Sequence, residues 1–182
     1  MTVQVDVHLG PEDLHDALVE DARRGLTATP KDLPPKWFYD AAGSELYELI
    51  TKLPEYYPFG AEREILRARA GEIAAAARTE SLVELGSGSS EKTRWLLNAL
   101  REVGTLHRYL PLDVSEAALR EAMVALTEEY PDLPVHGIVG DFTRHLGRIP
   151  AEGKRMLAFL GGTIGNLRPD ERSEFLDRKS VV

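Results

Sequence analysis

Val83-Glu84-Leu85-Gly86-Ser87-Gly88-Ser89-Ser90 runs from an apolar stretch through two glycines into a segment of helical spacing. A buried strand that ends in such a turn and opens a helix presents free backbone N–H groups, and the glycines let a ligand approach the main chain closely. Glycine turns of this kind are just as often structural, so the flanking positions decide the reading. A dinucleotide fingerprint requires a third glycine three residues after the second. Glu91 stands there, which counts against a pyrophosphate and an oxidoreductase-like nucleotide binder.

Downstream of this turn, short apolar runs alternate with helical stretches, the pattern of a parallel sheet with crossover helices. The runs place strands over residues 81–85, 107–112, 135–139 and 155–160, with helices over 91–103 and 115–130 between the first three. Upstream, Leu14, Leu18 and Ala22 recur at amphipathic-helix spacing over residues 11–26, opened by Pro11. Residues 27–36 carry three prolines and predict an extended, semi-rigid connection. Two short helices follow over 43–53 and 61–77, with the loop Pro54-Glu55-Tyr56-Tyr57-Pro58 enforced between them. A further helix starts at Pro169 and is expected to reach about residue 176.

The composition fits one globular core: 182 residues, 43% of them hydrophobic. Thirty acidic against 22 basic residues give a formal charge of -8, which disfavours nucleic acid or an anionic membrane as partner and favours a small molecule. The chain contains no cysteine, so disulfides, thiolate metal sites and cysteine nucleophiles are excluded. The N-terminus lacks a basic start followed by an apolar core, and the uncharged run over 156–167 is too short and glycine-rich to span a bilayer. A cytoplasmic location is expected. The five histidines show no metal-ligand spacing, and no metal is assigned.

Several residues at strand ends carry chemistry. Asp113 ends the second of these strands, where a carboxylate can accept both hydrogen bonds of a ribose diol; it can equally cap the helix beginning near Ser115. Gly140-Asp141-Phe142 ends the third, where the carboxylate suits an adenine amine and the ring suits its face, against the alternative of a turn aspartate. Lys92, in the first turn after the glycines, is unfavourably placed for the helix dipole; it is either a ligand contact or a solvated lysine. The fourth strand runs into Gly161-Gly162-Thr163-Ile164-Gly165-Asn166, glycine-rich enough to admit a bulky ligand. Asn166 can offer its carbonyl to an amine, or cap the following helix. Trp37, Phe38, Tyr39, Tyr47, Tyr56 and Tyr57 gather upstream of the sheet, and core packing is expected for most of them.

The pattern Glu84-x-Gly86-x-Gly88 resembles the first motif of class I methyltransferases. The strings LTATPKDLPPKWFYD (26–40), LPEYYP (53–58), LVELGSGSSEKTR (82–94), DVS (113–115), GDF (140–142) and FLGGTIGNL (159–167) resemble the histidine-specific, S-adenosylmethionine-dependent methyltransferase family of ergothioneine biosynthesis. The likeness extends from about residue 20 to residue 176. It implies an α/β, Rossmann-like three-layer sandwich and S-adenosyl-L-methionine as cofactor, held by Gly86, Lys92, Asp113, Asp141 and Phe142. It implies L-histidine as substrate, with Tyr56 at the carboxylate, Asn166 at the α-amino group and Tyr39 nearby, in a monomeric enzyme. Gly162 stands where the family string has a serine. Orientation rather than a dedicated general base is expected to drive transfer, because an α-amino group of ordinary pKa about 8 needs little help to lose its proton. No catalytic residue in the strict sense is therefore assigned.

The domain division expected is an N-terminal helical segment (1–78) contributing to the substrate site, a partial cofactor domain (79–176), and a tail (177–182). Four strands are legible, in the order 3-2-1-4, with the fold's remaining strands absent and an apolar edge left open. The tail, Asp177-Arg178-Lys179-Ser180-Val181-Val182, loses the helix's apolar periodicity and back-translates in frame to a common sequencing adapter, so it is expected to be non-native. On these grounds the piece alone is expected to be inactive. Two alternatives stay open: a non-catalytic module that binds S-adenosylmethionine or its demethylated product, and a class I methyltransferase acting on another amino acid.

Overall fold

The computed structural model describes residues 4–179. The chain divides into two compact units, one over Leu9–Tyr57 and the other combining the N-terminal strand with the chain from Pro58 onward.

The larger unit is built on one parallel sheet of five strands: β1 (Gln4–Val7), β2 (Ser81–Leu85), β3 (Arg108–Asp113), β4 (His136–Val139) and β5 (Arg155–Ala158), in the order β1-β4-β3-β2-β5. The four strands legible in the sequence pair in the expected order. The expectation of four is corrected to five, because Gln4–Val7 adds in parallel to β4, pairing Gln4 with His136 and Val7 with Val139. Four residues of alternating polarity at a chain terminus carry too little apolar pattern to be recognised as a strand before their partner is known.

Strand β2 is an interior strand, flanked by β3 and β5, and all five of its residues are buried. That explains its near-continuous apolar composition: both faces of a parallel strand are covered by crossover helices. Pro111 lies inside β3 opposite Glu84. Lacking an N–H, it cannot donate to a ladder. The β3–β4 pairing accordingly runs over Leu112–Ile138 and Asp113–Val139 and resumes as an isolated bridge from Tyr109 to Val135, in the same register.

The crossover helices are α3 (Tyr57–Ala77), α4 (Thr93–Val103), α5 (Glu116–Glu129) and the single turn α6 (Phe142–His145), with α7 (Pro169–Lys179) after β5. On one side of the sheet, Val83, Leu85, Leu110, Leu112 and Ile138 pack with Leu146, Ile149 and Phe175, joined by Phe142, Phe159 and Leu157. The rings of Phe142, Phe159 and Phe175 meet pairwise at 5.0 to 5.6 Å between centroids. Helix α4 buries Leu96, Leu97 and Leu100 while Trp95 stays exposed, the one-sided stripe of a helix lying on a sheet.

Helix α3 begins four residues before the expected start at residue 61. Pro58 falls in its first turn, where a missing N–H costs nothing, so the second proline of the Pro54–Pro58 string begins the helix instead of interrupting it. Helix α7 continues to Lys179, past the expected end at 176. Arg and Lys are good helix formers, so the sequence here does not stop the helix. The rest of the expected tail, residues 180–182, lies outside the described residues.

The smaller unit contains α1 (Pro11–Thr27), a 3-10 turn (Pro35–Phe38) and α2 (Ala41–Ile50). The Gly10 N–H at the start of α1 donates to Asp13 at 2.9 Å, and Asp40 caps α2 by accepting the Gly43 N–H at 2.7 Å. Buried Asp21 accepts the Trp37 indole N–H at 3.0 Å and pairs with Arg24 and Lys36. The core packing expected of the upstream aromatics does not hold: Phe38 and Tyr57 are 63% and 75% exposed, and none of the six is fully buried. A unit this small has no sheet to cover them, and Trp37 is fixed through its polar edge. Among the described residues, no helix is long and apolar enough to cross a membrane.

Candidate active site

Gly86, Lys92, Asp113, Asp141, Phe142 and Asn166 all lie at or in the segments following the carboxyl ends of β2, β3, β4 and β5 in the sheet unit, where ligands of open α/β sheets bind. Gly86 and Gly88 have φ of +68° and +50°, a left-handed backbone that only glycine adopts without strain, and a Cβ added at either would meet nothing within 4 Å. The turn is therefore shaped by backbone conformation, and the space beside it is open to a ligand. Gly86 and Ser87 donate their N–H groups to the Leu112 carbonyl at 2.8 and 3.2 Å, which ties the turn to β3. The Ser87 hydroxyl is buried with no hydrogen-bond partner among the described residues. A buried, unpartnered hydroxyl in a ligand turn fits a site whose polar partner comes with the ligand.

Asp113 accepts the Gly88 N–H at 2.8 Å and the Ser115 N–H at 2.9 Å, one on each carboxylate oxygen. Burial raises its pKa above the ordinary value, and the backbone N–H groups of Ser115, Gly88 and Val114 oppose that rise. The helix cap is Ser115, whose hydroxyl accepts the Ala118 N–H, so capping does not account for Asp113. An ionised carboxylate has about four acceptor sites, so Asp113 retains acceptor capacity beyond these backbone bonds.

Glu84 lies beneath the turn, fully enclosed. Thr93 and Tyr109 both donate hydroxyl hydrogen bonds to it, and the Tyr109 oxygen also meets Ser90 Oγ at 2.9 Å. Burial lifts the Glu84 carboxyl from the ordinary 4.5 to about 7, with the two hydroxyl donors pulling the other way. Thr93 opens α4 and Ser90 closes the turn, so Glu84 fastens the strand, the turn and the helix into one unit. Its presence in the sequence motif is thereby accounted for without contact to a ligand.

Asp141 is buried and caps α6, accepting the Thr143 N–H at 2.8 Å and its hydroxyl at 2.5 Å. The Asp141 N–H in turn donates to His145 Nδ1 at 3.0 Å, and the His145 ring stacks on His8 just after β1. Burial lowers the His145 pKa, favouring the neutral ring that can accept this bond. Phe142 packs edge-on to Phe159 and Phe175, so at least one side of its ring is committed to the core.

Lys92 is not a solvated surface lysine. Its side chain is 11% exposed, ion-paired with Glu62 of α3, and its ammonium lies 4.6 Å from the centroid of the Phe59 ring. The unfavourable dipole position noted in the sequence is compensated by this carboxylate and ring. Sequence reasoning missed Glu62, which sits in a helix rich in Glu and Arg where nothing local distinguishes it. Its spacing from Phe59, three residues on one helix face, is the signal that was available.

Asn166 ends a 3-10 turn (Thr163–Asn166) after β5. It is exposed, and its amide makes no hydrogen bond among the described residues. The start of α7 is served instead by Glu171, which accepts the Arg168 N–H at 2.9 Å, so Asn166 is not that helix's cap. In the smaller unit, Tyr39, Tyr47 and Tyr56 form an edge-to-face chain with centroids 5.8 and 6.3 Å apart. Burial, with the charge of Tyr56 second, raises the Tyr39 phenol pKa.

The family model described as "Histidine-specific methyltransferase, SAM-dependent" matches residues 18–181. The chain belongs to this family. Its curated relatives include the histidine N-alpha-methyltransferases of Mycolicibacterium smegmatis and Mycobacterium tuberculosis, 53% and 54% identical over 176 residues, or 97% of this chain. The chain spans 55% of the length of each. The Schizosaccharomyces pombe Ergothioneine biosynthesis protein 1 is 33% identical over 79% of the chain, which covers 20% of that protein. Among solved structures, the plantazolicin methyltransferase BpumL in complex with SAH aligns with a TM-score of 0.52 at 15% identity, covering 90% of this chain and 55% of that one. That likeness supports the methyltransferase fold for the sheet unit of this family member.

Proposed function

We propose that this chain forms the cofactor-binding part of an S-adenosylmethionine-dependent enzyme that methylates the α-amino group of L-histidine, toward Nα,Nα,Nα-trimethylhistidine. The observation that carries the reading is the joined set of Gly86–Gly88, Asp113 and Asp141 at adjacent strand ends, in a chain of this family with about half its residues shared with histidine N-alpha-methyltransferases.

The cofactor supplies an electrophilic methyl group on a sulfonium. The left-handed turn at Gly86 and Gly88 leaves open space for its approach, the spare acceptor sites of Asp113 suit a ribose diol, and the buried Ser87 hydroxyl offers an unused polar atom. Asp141 is assigned to the adenine amine with Phe142 beside the base, and Lys92 to a polar edge of the cofactor. Asn166 is assigned to the substrate α-amino group: its carbonyl accepts an amine proton and leaves the nitrogen lone pair free. Tyr56, with Tyr39, is assigned to the substrate. None of these residues needs to form a covalent bond. Alignment alone lowers such a barrier by several kcal/mol, up to about 7–11 in the best intramolecular cases.

The test is mass-spectrometric detection of methylated histidine from L-histidine and S-adenosylmethionine, on the full-length gene product, beside an Asn166→Ala variant. Stepwise mono-, di- and trimethylated products, depleted at least tenfold in the variant, are expected. Methylation of a different amino acid in preference to histidine would contradict the substrate assignment.

A further inference from the structure

We propose that Glu62 is a positioning residue that clamps the two loops of the site, the glycine turn after β2 and the glycine loop after β5; this rests on the cofactor reading given above. Its carboxylate does two things at once. Both oxygens accept the Gly161 N–H, at 2.9 and 3.0 Å, and one of them pairs with Lys92 Nζ. Lys92 lies at the start of α4, directly after the turn, and Gly161 lies three residues past the end of β5.

The second loop's flanks, Phe159 and Leu167, pack on the core, and the clamp matters for the glycines between them. Gly161 and Gly162 both have left-handed φ, +81° and +73°, so two consecutive residues have the widest backbone freedom available. The remaining hydrogen bonds of the loop are local: Gly165 N–H to the Gly162 carbonyl, and the Thr163 hydroxyl to the Leu160 carbonyl at 3.5 Å. Asn166 sits at the far end of this segment. The bond from Gly161 to α3, together with the packing of Leu167 on the core, fixes the segment that carries Asn166.

Charge and packing favour the arrangement. Lys92 is 11% and Glu62 28% exposed at the side chain, so the pair is partly shielded from solvent and held more firmly than a surface pair. Phe59, one helical turn before Glu62 on the same face of α3, covers the ammonium at 4.6 Å. Two groups from two other segments, the Lys92 ammonium and the Gly161 N–H, thus converge on one carboxylate that touches no reacting atom in this scheme.

The experiment is calorimetric titration with S-adenosylhomocysteine of the wild-type chain and of Glu62→Ala, Glu62→Gln, Lys92→Met and the Glu62→Ala/Lys92→Met double variant, each with its thermal midpoint. Glu62→Gln keeps an acceptor for Gly161 but loses the charge, and it guards against a folding failure of the alanine variant. The clamp predicts an affinity loss of about tenfold for Glu62→Ala and about threefold for Glu62→Gln, shrinking to under about twofold when Lys92 is already Met, because coupled partners are non-additive. Unchanged affinity in both Glu62 variants would overturn it, and so would an equal loss in the Lys92→Met background. Failure of the wild type to bind would instead overturn the cofactor reading, and the clamp with it.

Discussion

The Asp113 carboxylate at the end of β3 accepts the N–H of Gly88 in the turn that ends β2, at 2.8 Å. One strand's terminal acid thus fixes the neighbouring strand's glycine turn, while its other oxygen holds the Ser115 N–H. Asp113→Ala removes both acceptors and leaves two partly buried donors unpaired, so a stability loss of about 2 kcal/mol is expected in urea denaturation. S-adenosylhomocysteine affinity should fall further than Asp113→Asn lowers it, since the amide keeps one acceptor.

Glu84 predicts a pH dependence of stability. Its carboxyl titrates near 4.5 in ordinary surroundings and near 7 in the fold, because burial favours the neutral form. The folded chain therefore binds the extra proton between those values, and the contribution of this group is fully present below pH 4.5 and lost as pH rises toward 7. The total is roughly 3 kcal/mol. Glu84→Gln, neutral and of the same shape, is expected to flatten this segment of the stability profile measured by urea denaturation from pH 5 to 8. An unaltered slope would assign it to another group.

Gly86→Ala and Gly88→Ala separate folding from binding. Neither added Cβ meets an atom within 4 Å, so the expected stability cost is that of a left-handed backbone alone, about 1–2 kcal/mol each. The methyl group would project into the space assigned to the cofactor. A loss of S-adenosylhomocysteine affinity well beyond tenfold is expected with the fold intact by circular dichroism.

Asp21 anchors the smaller unit through Trp37, Arg24 and Lys36. Replacing it by Ala leaves the partly buried Trp37 indole N–H without this acceptor and removes the two ion pairs. A cost of about 1–3 kcal/mol is expected, read as a shift of tryptophan fluorescence at lower denaturant. Because Trp95 lies in the other unit, Trp95→Phe isolates the Trp37 signal.

The sheet was legible wherever burial on both faces made a run continuously apolar, as in β2, and wherever a turn residue marked its end. Strand β1 was not, because an edge strand of four residues takes its stability from a partner 132 residues away, with Gln4 lying opposite His136. The positions of Asp113 and Asp141 at the ends of β3 and β4 were legible from the apolar runs before them, and the structure gives both of them bonds to backbone N–H groups. Glu62 was invisible for the opposite reason: its significance comes from Lys92 and Gly161, which lie 30 and 99 residues further on. The upstream aromatics misled because aromatic content signals a core only when there is a surface large enough to bury it.

The most direct test of the cofactor site is a pair of calorimetric titrations of this chain, one with S-adenosylhomocysteine and one with NAD. Saturable binding of the first at one site, lost in Asp113→Ala, with no heat from the second, is the predicted result. Binding of NAD, or no binding of S-adenosylhomocysteine by a folded chain, would contradict the account.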